Sequence, residues 1–204
     1  MNIEEVDYWW CIIGGKVPIN TWFKGVGEES SKTWYEKVGS GFFSKYMKGQ
    51  GLDIGGKGYI NSHSILPNAI LVDLDYPDYD GKTLPFEDNS QDFIYNSHCL
   101  EHIDDYQNAI RDWFRVTKKG GHIIITVPHA ALYEKKDFPP SRFNGDHKRF
   151  YTPASLLREI EESLHINSYR IRHLMDNDKG HNYEDPPEVH GRGLYEIEVV
   201  VEKL

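Results

Sequence analysis

Residues 51–61 read GLDIGGKGYIN. A short apolar run ends in Asp53 and is followed at once by glycines at Gly55, Gly56 and Gly58. An apolar run of strand length stopped by glycines reads as a strand that turns sharply. Its bare backbone can then approach a ligand closely. The dinucleotide fingerprint is GxGxxG opening a helix, with an acid about 20 residues on. The order here is D-x-G-G-K-G, and Lys57 stands where a second spaced glycine would be.

The discriminating residue is Asp53, two positions before Gly55. A carboxylate at the end of the strand repels a pyrophosphate but can hold a cationic ammonium group. The turn therefore asks for a nucleotide-like ligand with a positive charge near the glycines, and S-adenosylmethionine (SAM) is such a molecule.

Working outward, strands and helices alternate. Leu52–Ile54, Ala69–Asp73, Asp92–Asn96 and the nearly continuous apolar run His122–Val127 read as strands, the last stopped by Pro128. A helix is expected from a cap at Asp104 or Asp105 to Lys119. Ala109, Ile110, Trp113, Phe114 and Val116 form its buried face, Lys118 and Lys119 meet its dipole, and Gly120-Gly121 ends it. Thr152-Pro153 is a cap followed by an N1 proline, leading into Leu156, Leu157, Ile160 and Leu164. Strands around Tyr169–Leu174 and Tyr195–Val201 close the chain, and this final pair is open to an antiparallel arrangement. The alternation predicts an α/β, Rossmann-like sheet, mostly parallel with an antiparallel C-terminal strand, over residues 50–204.

Residues 1–49 are rich in aromatics (Tyr8, Trp9, Trp10, Trp22, Phe23, Trp34 and Tyr35 among them) and read as a separate N-terminal cap or lid segment. From Ser31 to Met47, Trp34, Val38, Phe42 and Tyr46 recur at helical spacing. Most of these rings are core by default. Some could cover the methionine end of the cofactor or stack on an apolar sugar face.

At this point the chain resembles the class I SAM-dependent methyltransferases, in particular the ubiquinone- and menaquinone-biosynthesis-like branch, over roughly residues 50–165. Leu52-Asp53-Ile54-Gly55-Gly56 is similar to the family's first motif, and Val72-Asp73 to the end of its second strand. The stretch Asp80 to Ser90 resembles the segment that meets the adenine. Asp92–Asn96 followed by Ser97-His98-Cys99-Leu100-Glu101-His102-Ile103 resembles the fourth strand and the "LEH" helix start. Lys118 to Pro128 is similar to the passage into the fifth strand.

The resemblance implies that Asp53, Gly55, Gly56 and Gly58 cradle SAM, that Asp73 takes the ribose hydroxyls, with Asp75 as the alternative, and that Asp80 and Gly81 meet the adenine. Asn96 and Ser97 complete the cofactor set. Asp80 could instead cap a turn. The second-strand region is shortened. Only fifteen residues, Pro67 among them, lead from Gly58 to Asp73, and six separate Asp73 from Asp80.

In an open α/β sheet the acceptor sits beyond the carboxyl ends of the strands, which points to residues after the fourth and fifth strands. Methyl transfer to a hydroxyl needs a base, and histidine suits neutral pH. His98, His129 and His147 are the candidates, and for each a merely orienting role is the competing reading. His102 reads as a buttress of the helix start. The long segment HAALYEKKDFPPSRFNGDHKRFYTP ends in a stretch similar to one in methyltransferases that modify sugars and glycans. A divalent ion on Asp146, His147 and another His or Asp is possible but not favoured, since no tight ligand spacing marks it.

Composition bounds the partners. The net charge of −9 over 204 residues argues against a phosphate backbone, so no nucleic-acid partner is expected. Lys135, Lys136, Arg142, Lys148, Arg149, Arg158, Arg170 and Arg172 go against that average; they read as a solvated face or as a rim for an anionic acceptor. No run is apolar enough to span a bilayer and no secretory leader is visible, so neither a membrane nor export is expected. Cys11 and Cys99 make no disulfide framework, and the cytoplasm is the expected location.

The leading expectation is SAM-dependent methylation of a hydroxyl on a small acceptor, a sugar or glycan. The alternatives are a quinone, phenolic or amine acceptor, or a non-catalytic SAM- or nucleotide-binding module.

Overall fold

The computed structural model describes residues 33, 36, 37, 39–56, 64, 66 and 68–204. Lys57, Gly58, Trp34, Tyr35 and everything before residue 33 lie outside the described residues, so the lid expectation and the Gly58 role rest there.

Six strands form one sheet. In chain order they are β1 (Gly51–Ile54), β2 (Ala69–Val72), β3 (Gln91–Ser97), β4 (Thr117–Pro128), β5 (Tyr169–Asn177) and β6 (Glu196–Lys203). Their spatial order is β2-β1-β3-β4-β6-β5. The pairs β1–β2, β1–β3 and β3–β4 are parallel. Strand β6 runs antiparallel between β4 and β5. This is the expected α/β Rossmann-like sheet with its antiparallel C-terminal strand. Residues 73–90 hold only turns, so β2 is the edge of the sheet.

Period-two alternation sorts the strand side chains into two cores. Ile94, Ile123, Ile125, Val199 and Val201 face α2 (Tyr106–Val116) and α3 (Pro153–Ser163), whose Ile110, Trp113, Leu156 and Ile160 complete that core. Phe93, Tyr95, Ile124 and Val200 face the other way and meet Phe42, Phe43 and Tyr46 of the short helix α1 (Phe42–Tyr46). Each fully buried aliphatic here is worth about 1.5–3 kcal/mol of transfer free energy.

The caps follow local chemistry. The Asp105 side chain accepts from Asn108 N at the start of α2, and Thr152 and Ser155 form a reciprocal capping box on α3. Helix α2 ends at Val116, three residues before the expected Lys119. Thr117 turns extended to pair with Gln91, its hydroxyl donates to the Trp113 carbonyl, and Lys118 reaches Asp92 at 2.8 Å. Pairing in the sheet thus outcompetes another helical turn. Among the described residues no helix is long and apolar enough to cross a membrane.

Candidate active site

The strand order reverses between β1 and β3, and ligands of such sheets sit in the crevice at that point. Gly55 opens the crevice with φ +73°, and its N–H donates to the Val72 carbonyl, locking the turn to β2. A Cβ on Gly55 would lie 2.3 Å from Cys99 Sγ, and one on Gly56 would lie 2.6 Å from Asp53 Oδ1. Gly55 is required by its left-handed φ as well as by Cys99, whereas a side chain at Gly56 would have to displace the Asp53 carboxylate.

Asp53 is buried directly beneath Gly56 and accepts a hydrogen bond from Ser64 Oγ at 2.8 Å. Asn96 pairs with Ile54 across the switch point and donates to its carbonyl, while its own Oδ1 is buried with no hydrogen-bond partner. Ser97 lies next along the strand, on the opposite side, against the Tyr95 hydroxyl. Asp73 follows β2 immediately and is half-buried, whereas Asp75 is exposed. Exposed Asp80 spends Oδ1 on the N–H groups of Thr83 and Lys82, which hold its carboxyl below the usual range; Gly81 follows at φ +79°. A glycine turn without room for side chains, together with an unsatisfied buried amide oxygen beside it, fits a nucleoside-type cofactor.

Tyr79 belongs to this end although no motif marks it. Burial pushes its hydroxyl up to about 12, helped by the nearby Cys99, Asp112, Asp80 and Asp73.

The other end of the crevice is built from buried charge. His98 follows β3 in the left-handed region, φ +52°, with its N–H on the Thr126 carbonyl. Its Nε2 meets Glu196 Oε1 at 2.9 Å, and its Nδ1 lies 3.8 Å from Glu101 Oε1. Burial works to raise the Glu196 carboxyl, but His98, Lys37 and Thr33 outweigh it and hold it below its ordinary value. Lys37 bridges Glu196 and Glu198 at 3.9 and 2.6 Å; burial opposes its charge, yet Tyr95 and the two glutamates leave its ammonium raised.

Glu101 is fully buried, and neither of its oxygens has a hydrogen-bond partner. Around its Oε1 stand His98 Nδ1, His102 Nε2 at 3.8 Å and His147 Nε2 at 3.9 Å. His147 is itself buried and fixed through Nδ1 by Glu134 Oε1 at 2.5 Å. His102 is lowered by partial burial, against the pull of Glu101, and its ring packs edge-on to His147 at 4.8 Å.

This convergence explains the Asp146–Pro153 stretch. Lys148 N donates to the Glu101 carbonyl, Arg149 donates to the carbonyls of Leu100 and Ile103, and Tyr151 donates to Glu159. The Lys148 and Arg149 bonds fasten the long segment onto the Leu100–His102 turn, and the Tyr151 bond ties it to α3. Arg149 is thus spent internally on these carbonyls and on Glu159, and Arg172 pairs with Glu202, so the basic residues of this region do not act as one free rim.

The structure brings His98 and His147 together at Glu101 but leaves His129 apart. His129 Nδ1 accepts from Ala131 N, and its Nε2 faces Asp176 at 3.5 Å. Its ring thereby caps the turn after β4. Exposed Asp146 is not among the ligand group that includes His147; Glu101 and His102 take that place. Glu101 and Glu134 were missed as site residues. Polar residues in otherwise apolar surroundings were their only signal, as in L-E-H and L-Y-E.

Residues 38–125 match a family model described as a methyltransferase domain. The chain is similar to the demethylmenaquinone methyltransferase of Corynebacterium efficiens, 46% identical over 46 residues, 22% of this chain and 20% of that protein. It is also similar to the ubiquinone/menaquinone biosynthesis C-methyltransferase of Vibrio cholerae, 34% identical over 78 residues, 35% of this chain and 30% of that protein. These alignments span less than a third of either relative. A solved SAM-dependent methyltransferase from Aquifex aeolicus shares the fold: its TM-score is 0.55 at 13% identity, covering 93% of this chain and 100% of that one. Residues 38–125 are thus similar to a methyltransferase domain, and the whole sheet shares the fold of SAM-dependent methyltransferases, whose cofactor is SAM.

Proposed function

We propose that this chain transfers a methyl group from SAM to a hydroxyl-bearing small acceptor, with His98 removing the acceptor's proton. SAM supplies an electrophilic methyl on a sulfonium. Asp53, Gly55, Gly56 and Gly58 hold its methionine end, Asp73 its ribose hydroxyls, and Asp80 with Gly81 its adenine; Asn96 and Ser97 close the floor. The observation that carries the reading is His98 at the strand switch point, held through Nε2 by the buried Glu196. A carboxylate behind an imidazole fixes its tautomer and stabilises the imidazolium that forms. His147 has its Nδ1 tied to Glu134, and His129 caps a turn, so both serve better as positioning groups.

The acceptor is inferred to be a sugar or other polyol. A sugar hydroxyl is a poor nucleophile and needs the dense array of carboxylates and imidazoles at this end. The family match ends at residue 125, before the segment that covers the acceptor side, so the relatives' acceptors do not carry over directly. A second reading, methylation of a quinol ring, is favoured by the names of those relatives. Removing a phenolic proton would push electron density onto a neighbouring ring carbon, so the same base would serve.

The test is release of S-adenosylhomocysteine from SAM in the presence of sugars and glycan fragments, reduced quinones and amines, with His98→Gln alongside. Turnover on sugars that drops about 10²–10⁴-fold in the variant supports the reading. Turnover on quinols alone favours the second. Unchanged turnover in the variant removes His98 from the chemistry.

A further inference from the structure

We infer that Glu101, His102 and His147 form a site for a divalent metal ion of the zinc class at the acceptor end of the crevice. Their ligand atoms all lie within 4.8 Å of one another, the one such group among the described residues. Glu101 is the strongest pointer. A fully buried carboxylate with no hydrogen-bond partner on either oxygen is costly unless a cation faces it.

The surroundings match a metal's outer shell. A ligating histidine usually gives its other nitrogen to a carboxylate or a backbone carbonyl, which orients the ring. His147 does so through Nδ1 to Glu134, leaving Nε2 turned toward Glu101 at 3.9 Å. The His102 ring lies beside the Asp146 backbone, with Nε2 at 3.8 Å from the same oxygen. Ligand atoms around a tetrahedral zinc lie about 3.3 Å apart, so the two Glu101 contacts must shorten by about 0.5 Å and the widest pair of the group by about 1.5 Å.

Two imidazoles and one carboxylate suit zinc or a similar transition ion, whereas magnesium and calcium favour all-oxygen shells. Three protein ligands leave a coordination position for a water or a substrate oxygen. That position would sit among the groups around Glu101, which include His98. Activation of an acceptor hydroxyl there rests on the methyl-transfer reading; metal binding itself does not.

The test is calorimetric titration of zinc chloride, and separately magnesium chloride, into the full chain after chelator treatment. S-adenosylhomocysteine is titrated in parallel. The expected result is one zinc per chain, bound far more tightly than magnesium. Glu101→Gln and His102→Gln should weaken it at least tenfold, and Glu134→Gln about 10–100-fold. His165→Gln, on an exposed residue elsewhere, should leave it unchanged. Should Glu101→Gln fail to fold, His102→Gln decides alone, because that ring is one-third exposed. No stoichiometric zinc in the wild-type chain, or equal affinity in His102→Gln and His165→Gln, overturns the site. Zinc binding without S-adenosylhomocysteine binding would keep the site and sink the methyltransferase reading; the reverse would do the opposite.

Discussion

The two ends of the crevice are built from different material. At the β1–β2 end the working surface is backbone: a Cβ on Gly55 would meet Cys99, and one on Gly56 would meet the Asp53 carboxylate. At the β3–β4 end it is buried charge, with Glu101, Glu134, Glu196, His98 and His147 packed where apolar residues would ordinarily be. The first end lies within the stretch matched by the methyltransferase-domain model, while the segment carrying Glu134 and His147 lies beyond it. Backbone geometry set by glycines tolerates little variation. A side-chain network can be rebuilt for a different acceptor on the same frame.

The comparison can be broken most sharply at His98. His98→Gln should lower kcat by about 10²–10⁴-fold while leaving S-adenosylhomocysteine affinity within about twofold. A parallel loss of cofactor binding would mean the two ends are not separate.

Next in size is Lys37. Lys37→Met leaves Glu196 and Glu198 as buried charges without their cation, and such a break costs about 3–5 kcal/mol, read as a shift in denaturant midpoint. A shift under about 1 kcal/mol would show that His98 and His173 suffice to hold these carboxylates.

Gly55→Ala acts on the other end. It adds a Cβ against Cys99 at a left-handed position, at a cost of about 2–5 kcal/mol from overpacking and backbone strain. Combining it with Cys99→Ala should recover the packing part but not the strain.

The smallest effect is with pH. Partial burial holds His122 below its ordinary value, against Glu202, so the folded chain resists protonating it. A depressed histidine contributes stability above about pH 6.5, and that contribution drains away as pH falls through its folded pKa. Stability measured at pH 7.5 and 5.5 should therefore fall, and His122→Gln should flatten the decline. An unchanged decline would assign it to other groups.

How far the sequence could be read follows the same division. The strands, the Asp105 and Thr152 caps and the glycine turn are local signals, and all appear where the pattern places them, although β4 starts five residues before His122 and β5 runs three residues past Leu174. Lys118 looks locally like a helix-end cation because its partner Asp92 is distant in sequence. The buried charges were hidden for a related reason. Glu196 and Glu198 alternate along β6 as an exposed polar face would, and only Lys37 and the histidines, folded in from elsewhere, permit their burial. Likewise Glu134 and His147, thirteen residues apart in an irregular segment, pair with each other, and His147 reaches Glu101 where Lys148 and Arg149 fasten that segment down.

The division into a cofactor end and an acceptor end is tested most directly by titrating S-adenosylhomocysteine, with NAD as comparison, into the wild-type chain, Asp73→Ala and His98→Gln. The expected result is micromolar binding of S-adenosylhomocysteine and none of NAD, lost in Asp73→Ala and kept in His98→Gln. Equal binding in all three, or no binding to the wild-type chain, would contradict it.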